Sequence, residues 1–231
     1  HLIIFGVSSS PNYPTTSSAF DTSKQTSSGI NLSILSENFV TGPDIVITKF
    51  NEQGTAILGS TFFGGDDVDG LNINKGNLSS SNTELLFNYG DQFRGEVIVD
   101  SSGNIFIGTV TYSNGLGQGN DTLVGVQDGI LAKFSPNLDN LLWSKYLGGS
   151  GYDAIYSIKV LDNGNILVGG GTKSALAFPT TPNSYLTNGF SGSVDGFISI
   201  ISSDGQNVLK STLVGTPNYD QIYFIEFDRF G

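Results

Sequence analysis

The feature that most constrains this fold is an internal repeat that occurs three times along the 231 residues. In each copy an Asp opens an apolar segment, a second apolar segment ends at a Gly, and another Asp follows. The opening residues Asp44, Asp128 and Asp195 are separated by 84 and 67 positions. The same two separations relate Gly64, Gly148 and Gly215, and also Asp69, Asp153 and Asp220. Landmarks that keep one order and one phase predict three equivalent structural units.

A fourth landmark predicts that a complete unit has four antiparallel strands. Asp100–Asn104 and Asp162–Asn165 are tight-turn sequences, in which Gly and Asn accept positive φ. The predicted strands of the third copy are about 155–161, 165–171, 195–201 and 208–214. Four antiparallel strands per repeat, arranged in series, are typical of β-propeller blades.

The repeat predicts an all-β fold in which 1–231 is a single β-propeller region. The sequence predicts an insertion at 71–94, and places blade-like repeats at about 1–65, 95–149 and 155–216, with a final strand at 221–227. Propellers typically have roughly four to eight blades. About three visible four-stranded blades therefore indicate part of a larger ring, and the expectation is that further blades lie before His1, after Gly231, or both.

Composition argues against several functional classes. The net charge is −11 and the ten Lys and Arg residues form no basic stripe, so nucleic-acid binding has no electrostatic basis. The chain has no Cys and a single His, His1, which excludes a Cys/His zinc site and argues against a His-dependent nucleophile. No apolar run approaches the roughly 18–20 residues of a membrane helix, so direct membrane insertion is not expected.

The repeat resembles the SBBP-type β-propeller repeat. The segments that carry the resemblance are Asp128–Phe134, Tyr146–Gly149, Ile158–Asn165 and Phe178–Thr181, with an echo at Tyr13–Thr16. The resemblance implies an extracytoplasmic protein of a Gram-negative, Bacteroidetes-type bacterium, located in the periplasm, at the outer membrane or on the cell surface, or secreted. It also implies a protein partner in the envelope, such as an outer-membrane secretion or gliding-motility assembly. No catalytic or cofactor-binding residues come with the motif, so the chain is not expected to be an enzyme.

The insertion carries most of the candidate partner-binding residues. Leu85, Leu86, Phe87 and Tyr89 form an apolar cluster, which favours docking within this protein or on a partner. The alternative is a tolerated surface excursion, because added loop length costs little entropy.

Trp143 is the remaining candidate for partner binding. We interpret the strand face of Ser144 and Tyr146 as the face packed between blades. Trp143 stands on the opposite face of the strand. An exposed Trp is a plausible interaction hot spot. Ordinary packing between blades is the alternative.

Asp66, Asp67 and Asp69 are the candidate metal ligands, because three carboxylates close in sequence suit Ca²⁺. Against calcium, Asp69 recurs as Asp153 and Asp220, where the neighbouring acids are absent. A repeated Asp after a glycine turn is typical of a residue that accepts backbone N–H groups. No other cofactor is expected.

The lengths of the connections predict one functional face. Connections within strand pairs 1–2 and 3–4 are short, whereas the others are long and variable, as at 7–43, 109–127 and 170–194. Binding sites usually lie on such loops. The sequence therefore favours a non-catalytic protein-protein interaction module. The alternatives are a carbohydrate-binding or carbohydrate-cleaving propeller, with aromatic rings and paired carboxylates in one pocket, and a structural segment of a surface adhesin.

Overall fold

The chain folds as an all-β protein, as the sequence predicts. A computed structural model describes residues 1–27, 32–34, 37–39, 41–73, 75, 85, 91–186 and 192–228. Within these ranges there is one 3₁₀ turn, Asp91–Phe93. The strands are β1 Leu2–Ser8, β2 Leu32–Ile34, β3 Glu37–Phe39, β4 Asp44–Phe50, β5 Ile57–Phe63, β6 Glu96–Val99, β7 Ile105–Thr111, β8 Asp128–Phe134, β9 Leu141–Leu147, β10 Asp153–Val160, β11 Ile166–Thr172, β12 Asp195–Ile201 and β13 Val208–Val214. No helix in the described ranges is long and apolar enough to cross a membrane.

The strands form three main antiparallel sheets in chain order. Sheet 1 has the order β1-β4-β5, sheet 2 has β6-β7-β8-β9, and sheet 3 has β10-β11-β12-β13. β2 and β3 pair as a separate small hairpin. Sheet 1 has three strands because β1 corresponds to the second strand of the repeat.

The three sheets are equivalent in register as well as in strand order. Asp44, Asp128 and Asp195 each open the third strand of the repeat and are each almost completely buried. The pairing of the third and fourth strands is interrupted at the same place in every copy, after Lys49, Lys133 and Ile200. The predicted repeat is therefore present in three dimensions.

Sheet 2 is packed on both faces. One face contributes Ile105, Ile107 and Ile130 to a core shared with Ile45 and Ile47 of sheet 1. The other face contributes Phe106, Leu131 and Trp143 to a core shared with Val168 and Phe197 of sheet 3. Adjacent residues of a strand point to opposite faces, so both phases of the middle sheet are apolar and buried.

The two junctions between sheets match a large residue with a small one at equivalent positions. At the first junction a Cβ on Gly59 of sheet 1 would lie 3.6 Å from Cβ of Leu138, in the turn between β8 and β9. At the second junction Trp143 stands in the position of Gly59, and its ring lies against Gly205 in the turn between β12 and β13. The large and small partners are exchanged between the junctions.

Residues 221–228 do not form the final strand that the sequence predicts. Ile222 N donates to Gly170 O at 3.2 Å, and the segment lies on sheet 3 without a strand ladder. A strand needs a neighbour to satisfy its backbone groups, and no described segment pairs with these residues. The described sheets form no closed barrel or ring.

Candidate functional site

The insertion lies inside the first strand of sheet 2 and not in the connection before that strand. In sheet 3, Asp153 pairs with Thr172, and β10 has a bulge between Ile155 and Ser157. In sheet 2, Asp69 pairs with Thr111 in the same way, and the strand resumes only at Glu96. Residues 71–95 therefore stand where β10 has two residues. A bulge is a natural place for an insertion, because the ladder is already interrupted there.

The sequence aligns Asp162 with Asp100 in the turn between the first two strands, and the structure corrects this detail. Asp100 N bonds to Asn104 O, and the matching bond in sheet 3 is from Leu161 N to Asn165 O. Leu161, and not Asp162, therefore corresponds to Asp100.

Apolar side chains anchor the insertion to two sheets. Leu71 and Ile73 are buried in a cluster with Val68 and Tyr112. Leu85 is buried in a second cluster, made mainly by residues from sheet 2, from sheet 3 and from the segment before β12: Val110, Ala154, Tyr156 and Val194. The insertion is therefore fixed at separate points, one beside Tyr112 at the end of β7 and one between β7 and β10.

A buried amide holds these anchors together. Asn72 Nδ2 donates to Leu85 O at 3.0 Å and to the Tyr156 hydroxyl at 3.2 Å. Gln127 Nε2 donates to Asn72 Oδ1 at 3.0 Å and to Asp153 O at 3.1 Å. Paired polar groups in a low-dielectric interior favour one geometry, because an unpaired buried group is costly.

An ion pair and a stack of aromatic rings extend this network towards the surface. Arg94 Nε donates to Asp91 Oδ1 at 2.7 Å, and Asp91 is fully buried. The Arg94 guanidinium lies 4.5 Å from the ring centroid of Tyr223, which stacks on Tyr156 at 5.5 Å. Phe224 follows, with 80% of its surface exposed. Sequence reasoning missed these residues, although Asp91 and Arg94 form an i,i+3 pair of opposite charge in a chain with few cations.

The candidate partner-binding residues that the structure describes, Leu85 and Trp143, are both buried. Leu85 is 3% exposed, so it serves as an anchor within the chain. Leu86, Phe87 and Tyr89 lie outside the described residues. Trp143 is 5% exposed and presents no surface to a partner. The alternative, ordinary packing, describes Trp143, because both faces of sheet 2 are packed against neighbouring sheets.

The three candidate metal ligands do not converge. The Asp67 carboxylate forms an ion pair with Lys75. Asp69 is completely buried, and its carboxylate accepts bonds from Thr111, from Ser113 Oγ at 2.9 Å and from Gly65 N at 2.8 Å. Among the described residues no group of three acidic, His or Cys side chains is arranged to hold a metal ion. Asp69 is a turn residue here.

The same turn contact recurs in each repeat. Asp153 Oδ2 accepts from Gly149 N at 2.8 Å and from Ser174 Oγ at 2.6 Å, and Asp220 Oδ2 accepts from Thr216 N at 2.7 Å. Asp69 and Asp153 thus each link a glycine turn to the end of the second strand of the next sheet.

Burial changes the acidity of these repeated carboxyl groups. Desolvation raises the pKa of Asp69 and Asp153 to about 7, and that of Asp44 and Asp128 to about 6, from the ordinary value of 3.8. Each group also accepts hydrogen bonds, which lower the pKa but do not cancel the cost of burying a charge. These four carboxyl groups occupy two positions of the repeat, each shared by two copies.

One cavity lies on the long-loop side, between sheets 2 and 3. It has a volume of about 210 Å³, and its lining includes Asp121, Asp128, Lys145 and Tyr146. Tyr146 N donates to Asp121 Oδ2 at 2.7 Å, and Val124 N donates to Asp128 Oδ2 at 2.8 Å. Both carboxylates are therefore already held by the backbone. The volume is below the roughly 300–1,000 Å³ of usual ligand pockets.

Comparisons with known proteins give no family. No family model matches the sequence, and no curated protein matches it.

Proposed function

We propose that this chain is a non-catalytic interaction module, part of a β-propeller in the envelope of a Gram-negative bacterium. The observation that carries the proposal is the insertion, which is anchored at Leu71 and Ile73 beside the end of β7 and at Leu85 between β7 and β10. A surface excursion without a role in binding needs no such anchors. Anchors and a buried amide network are instead what a positioned docking element requires, because preorganisation reduces the entropic cost of binding.

The propeller is supported by the stacking of equivalent sheets in chain order. Each first strand lies at the same edge of its sheet, and consecutive sheets pack face to face with one recurrent register. A series of such sheets around an axis is a propeller. The resemblance of the repeat to the SBBP type supports an extracytoplasmic location and a protein partner in a secretion or motility assembly.

The test compares the chain with a variant in which 71–95 is replaced by Ile-Tyr, the two residues that β10 has at this place. The variant keeps the bulge of the repeat, so the three sheets are expected to form, which circular dichroism checks. The purified chain captures a partner from envelope extracts, and the identified partner is then titrated in pure form. We expect the variant to lose at least about tenfold in affinity, or about 1.4 kcal/mol.

A matched pair of variants separates the insertion from non-specific apolar contacts. Replacing Leu86, Phe87 and Tyr89 together by Ser is expected to weaken binding. Replacing Val124 and Val126, which are 57% and 50% exposed on another loop, by Ser is expected to leave binding unchanged. Unchanged affinity in the insertion variants would overturn the proposal. Binding to a glycan array without any protein partner would favour the carbohydrate-binding alternative.

A further inference from the structure

Two Asn residues in the described part of the chain are followed by Gly, and both are exposed. Asn114 precedes Gly115 in the long connection between β7 and β8, and Asn163 precedes Gly164 in the tight turn between β10 and β11. In such a pair the backbone nitrogen of Gly can attack the side-chain amide of Asn, because Gly has no Cβ that hinders the approach. The two pairs share their sequence and an exposed Asn, so their local geometry is what distinguishes them.

The side chain of Asn114 lies against the nitrogen that would attack it. Gly115 N donates to Asn114 Oδ1 at 2.9 Å, so the amide carbon Cγ, one bond from that oxygen, lies beside the nitrogen. Gly115 has a positive φ of 81°, and a Cβ built on it would meet no atom within 4 Å. The reacting groups are therefore adjacent and in open surroundings, and held proximity lowers the barrier of a reaction.

The side chain of Asn163 is directed away from the corresponding nitrogen. Gly164 N donates to Leu161 O at 2.8 Å, and Asn163 Oδ1 accepts from Asn165 N at 3.0 Å. The nitrogen and the amide thus have separate partners within the turn. Both bonds must break before the nitrogen can attack, which is expected to slow the reaction at Asn163 by about tenfold.

We propose that Asn114 is a site of spontaneous covalent modification, at which the side-chain amide is converted to a carboxylate through a cyclic imide. Gly115 N loses its proton to hydroxide and forms a bond to Asn114 Cγ. The bond from Cγ to Nδ2 then breaks, and the nitrogen takes a proton from water and leaves as ammonia. A further water molecule opens the imide at either carbonyl. One opening gives Asp, and the other gives isoaspartate, in which the main chain runs through the former side chain.

Isoaspartate at this position changes the turn from Ser113 to Leu116. The Tyr146 hydroxyl donates to Ser113 O at 2.7 Å and accepts from Leu116 N at 2.9 Å, so one atom holds both ends of the turn. Both ends are also fixed to the fold, because Ser113 Oγ donates to Asp69 Oδ2 at 2.9 Å and Leu116 packs on the core between sheets 1 and 2. Isoaspartate adds a backbone carbon between these ends, so at least one bond to Tyr146 is expected to break.

The modification therefore changes a loop irreversibly. It adds a negative charge at an exposed position, and its isoaspartate form releases a turn of the 109–127 connection from Tyr146. Long connections of this kind are where binding sites usually lie. The inference depends on hydrogen bonds within sheets 2 and 3 and their turns, and not on the function proposed above.

The first test follows both Asn residues in one sample. The folded chain is incubated in mildly basic buffer and digested at mildly acidic pH. Peptide mass spectrometry then detects each converted Asn, which gains the mass difference between water and ammonia. We expect Asn114 to convert about tenfold faster than Asn163 in the folded chain, and the two rates to agree within about threefold in urea. Equal rates in the folded chain, or one ratio in both states, would overturn the proposal.

A matched pair of variants tests the attacking residue. Gly115→Ala adds a Cβ beside the nitrogen and is expected to slow the conversion of Asn114 by about tenfold. Gly119→Ala is the control, because Gly119 lies in the same connection, has a positive φ of 66° and also has no atom within 4 Å of a built Cβ. It is expected to leave the rate at Asn114 unchanged. Circular dichroism checks that both variants fold, and equal rates in the two variants would contradict attack by Gly115.

Hydrogen exchange of the Leu116 amide tests the release of the turn, because this amide donates to Tyr146. Isoaspartate is measured with a methyltransferase that labels isoaspartate and not Asp. We expect the amide to exchange about tenfold faster in the isoaspartate form than in Asn114→Asp, which has the charge without the added carbon. The rate in the isoaspartate form should approach that of Tyr146→Phe, which lacks the hydroxyl. Equal exchange in the isoaspartate form and in Asn114→Asp would overturn the release of the turn.

Discussion

Trp143 gives the sharpest test of the junction between sheets 2 and 3. Its indole is 5% exposed, and its ring contacts Phe106 edge to face with centroids 6.0 Å apart. Trp143→Gly removes this ring and is expected to lower the free energy of unfolding by about 3–6 kcal/mol. Of this, about 3–5 comes from loss of the buried ring and up to about 1 from Gly in a strand interior.

The second perturbation, Gly205→Leu, fills the same space from the other side. A Cβ on Gly205 would lie 2.5 Å from Cδ2 of the Trp143 ring, so the single variant is overpacked and costs roughly 1–3 kcal/mol. The positive φ of 74° at Gly205 does not forbid Leu, since Leu138 occupies the equivalent position with φ of 60°. The double variant recreates the pairing of Gly59 with Leu138.

The two changes are therefore expected to be strongly non-additive. The double variant should be more stable than the sum of the single effects predicts by about 2 kcal/mol, within the usual range for residues in contact. Urea unfolding followed by far-UV circular dichroism measures each midpoint and slope. Additive effects, within about 0.5 kcal/mol, would refute the contact between these residues and the equivalence of the two junctions.

Further predictions concern the repeated carboxyl groups. Because folding raises the pKa of Asp44 and Asp128 to about 6 and that of Asp69 and Asp153 to about 7, the folded state binds more protons than the unfolded state. The contribution of these protonated carboxyl groups to stability is complete below about pH 4 and is lost as the pH rises through about 7. The melting temperature is therefore expected to fall between pH 5 and pH 8 in a series of buffers. A rise in melting temperature over this range would contradict the burial of these groups. Asp153→Ala removes an acceptor from a buried turn and is expected to cost about 2–4 kcal/mol, whereas Asp220→Ala, in the same turn with half-exposed surroundings, is expected to cost about 1 kcal/mol or less in urea unfolding.

The repeat made most of the architecture predictable. β12 and β13 begin and end at the predicted residues, and β10 and β11 differ from prediction by at most two residues at either end. The reason is that Asp, Gly and the apolar strand residues recur at separations that only equivalent sheets satisfy. Strand ends are also marked by turn residues whose backbone preferences are local.

The parts that could not be predicted depend on contacts between distant segments. The sequence predicts the insertion before the first strand of sheet 2, because the pairing of Asp69 with Thr111 cannot be read from sequence. The sequence leaves both exposure and packing of Trp143 open, because strand alternation does not say how many faces of a sheet are covered. The network around Asn72 and Arg94 joins residues that are more than 100 positions apart, such as Asp91 and Tyr223.

Equivalent sheets stack in chain order, and the single Trp allows a direct measurement of this stacking. Trp143 is the only indole in the chain, so its ring protons give unique NMR signals. In protein labelled at Trp and Gly, we expect nuclear Overhauser effects between the Trp143 ring and the α protons of Gly205, 62 positions away on the next sheet. Effects confined to sheet 2, with an indole N–H that exchanges rapidly with solvent, would contradict it.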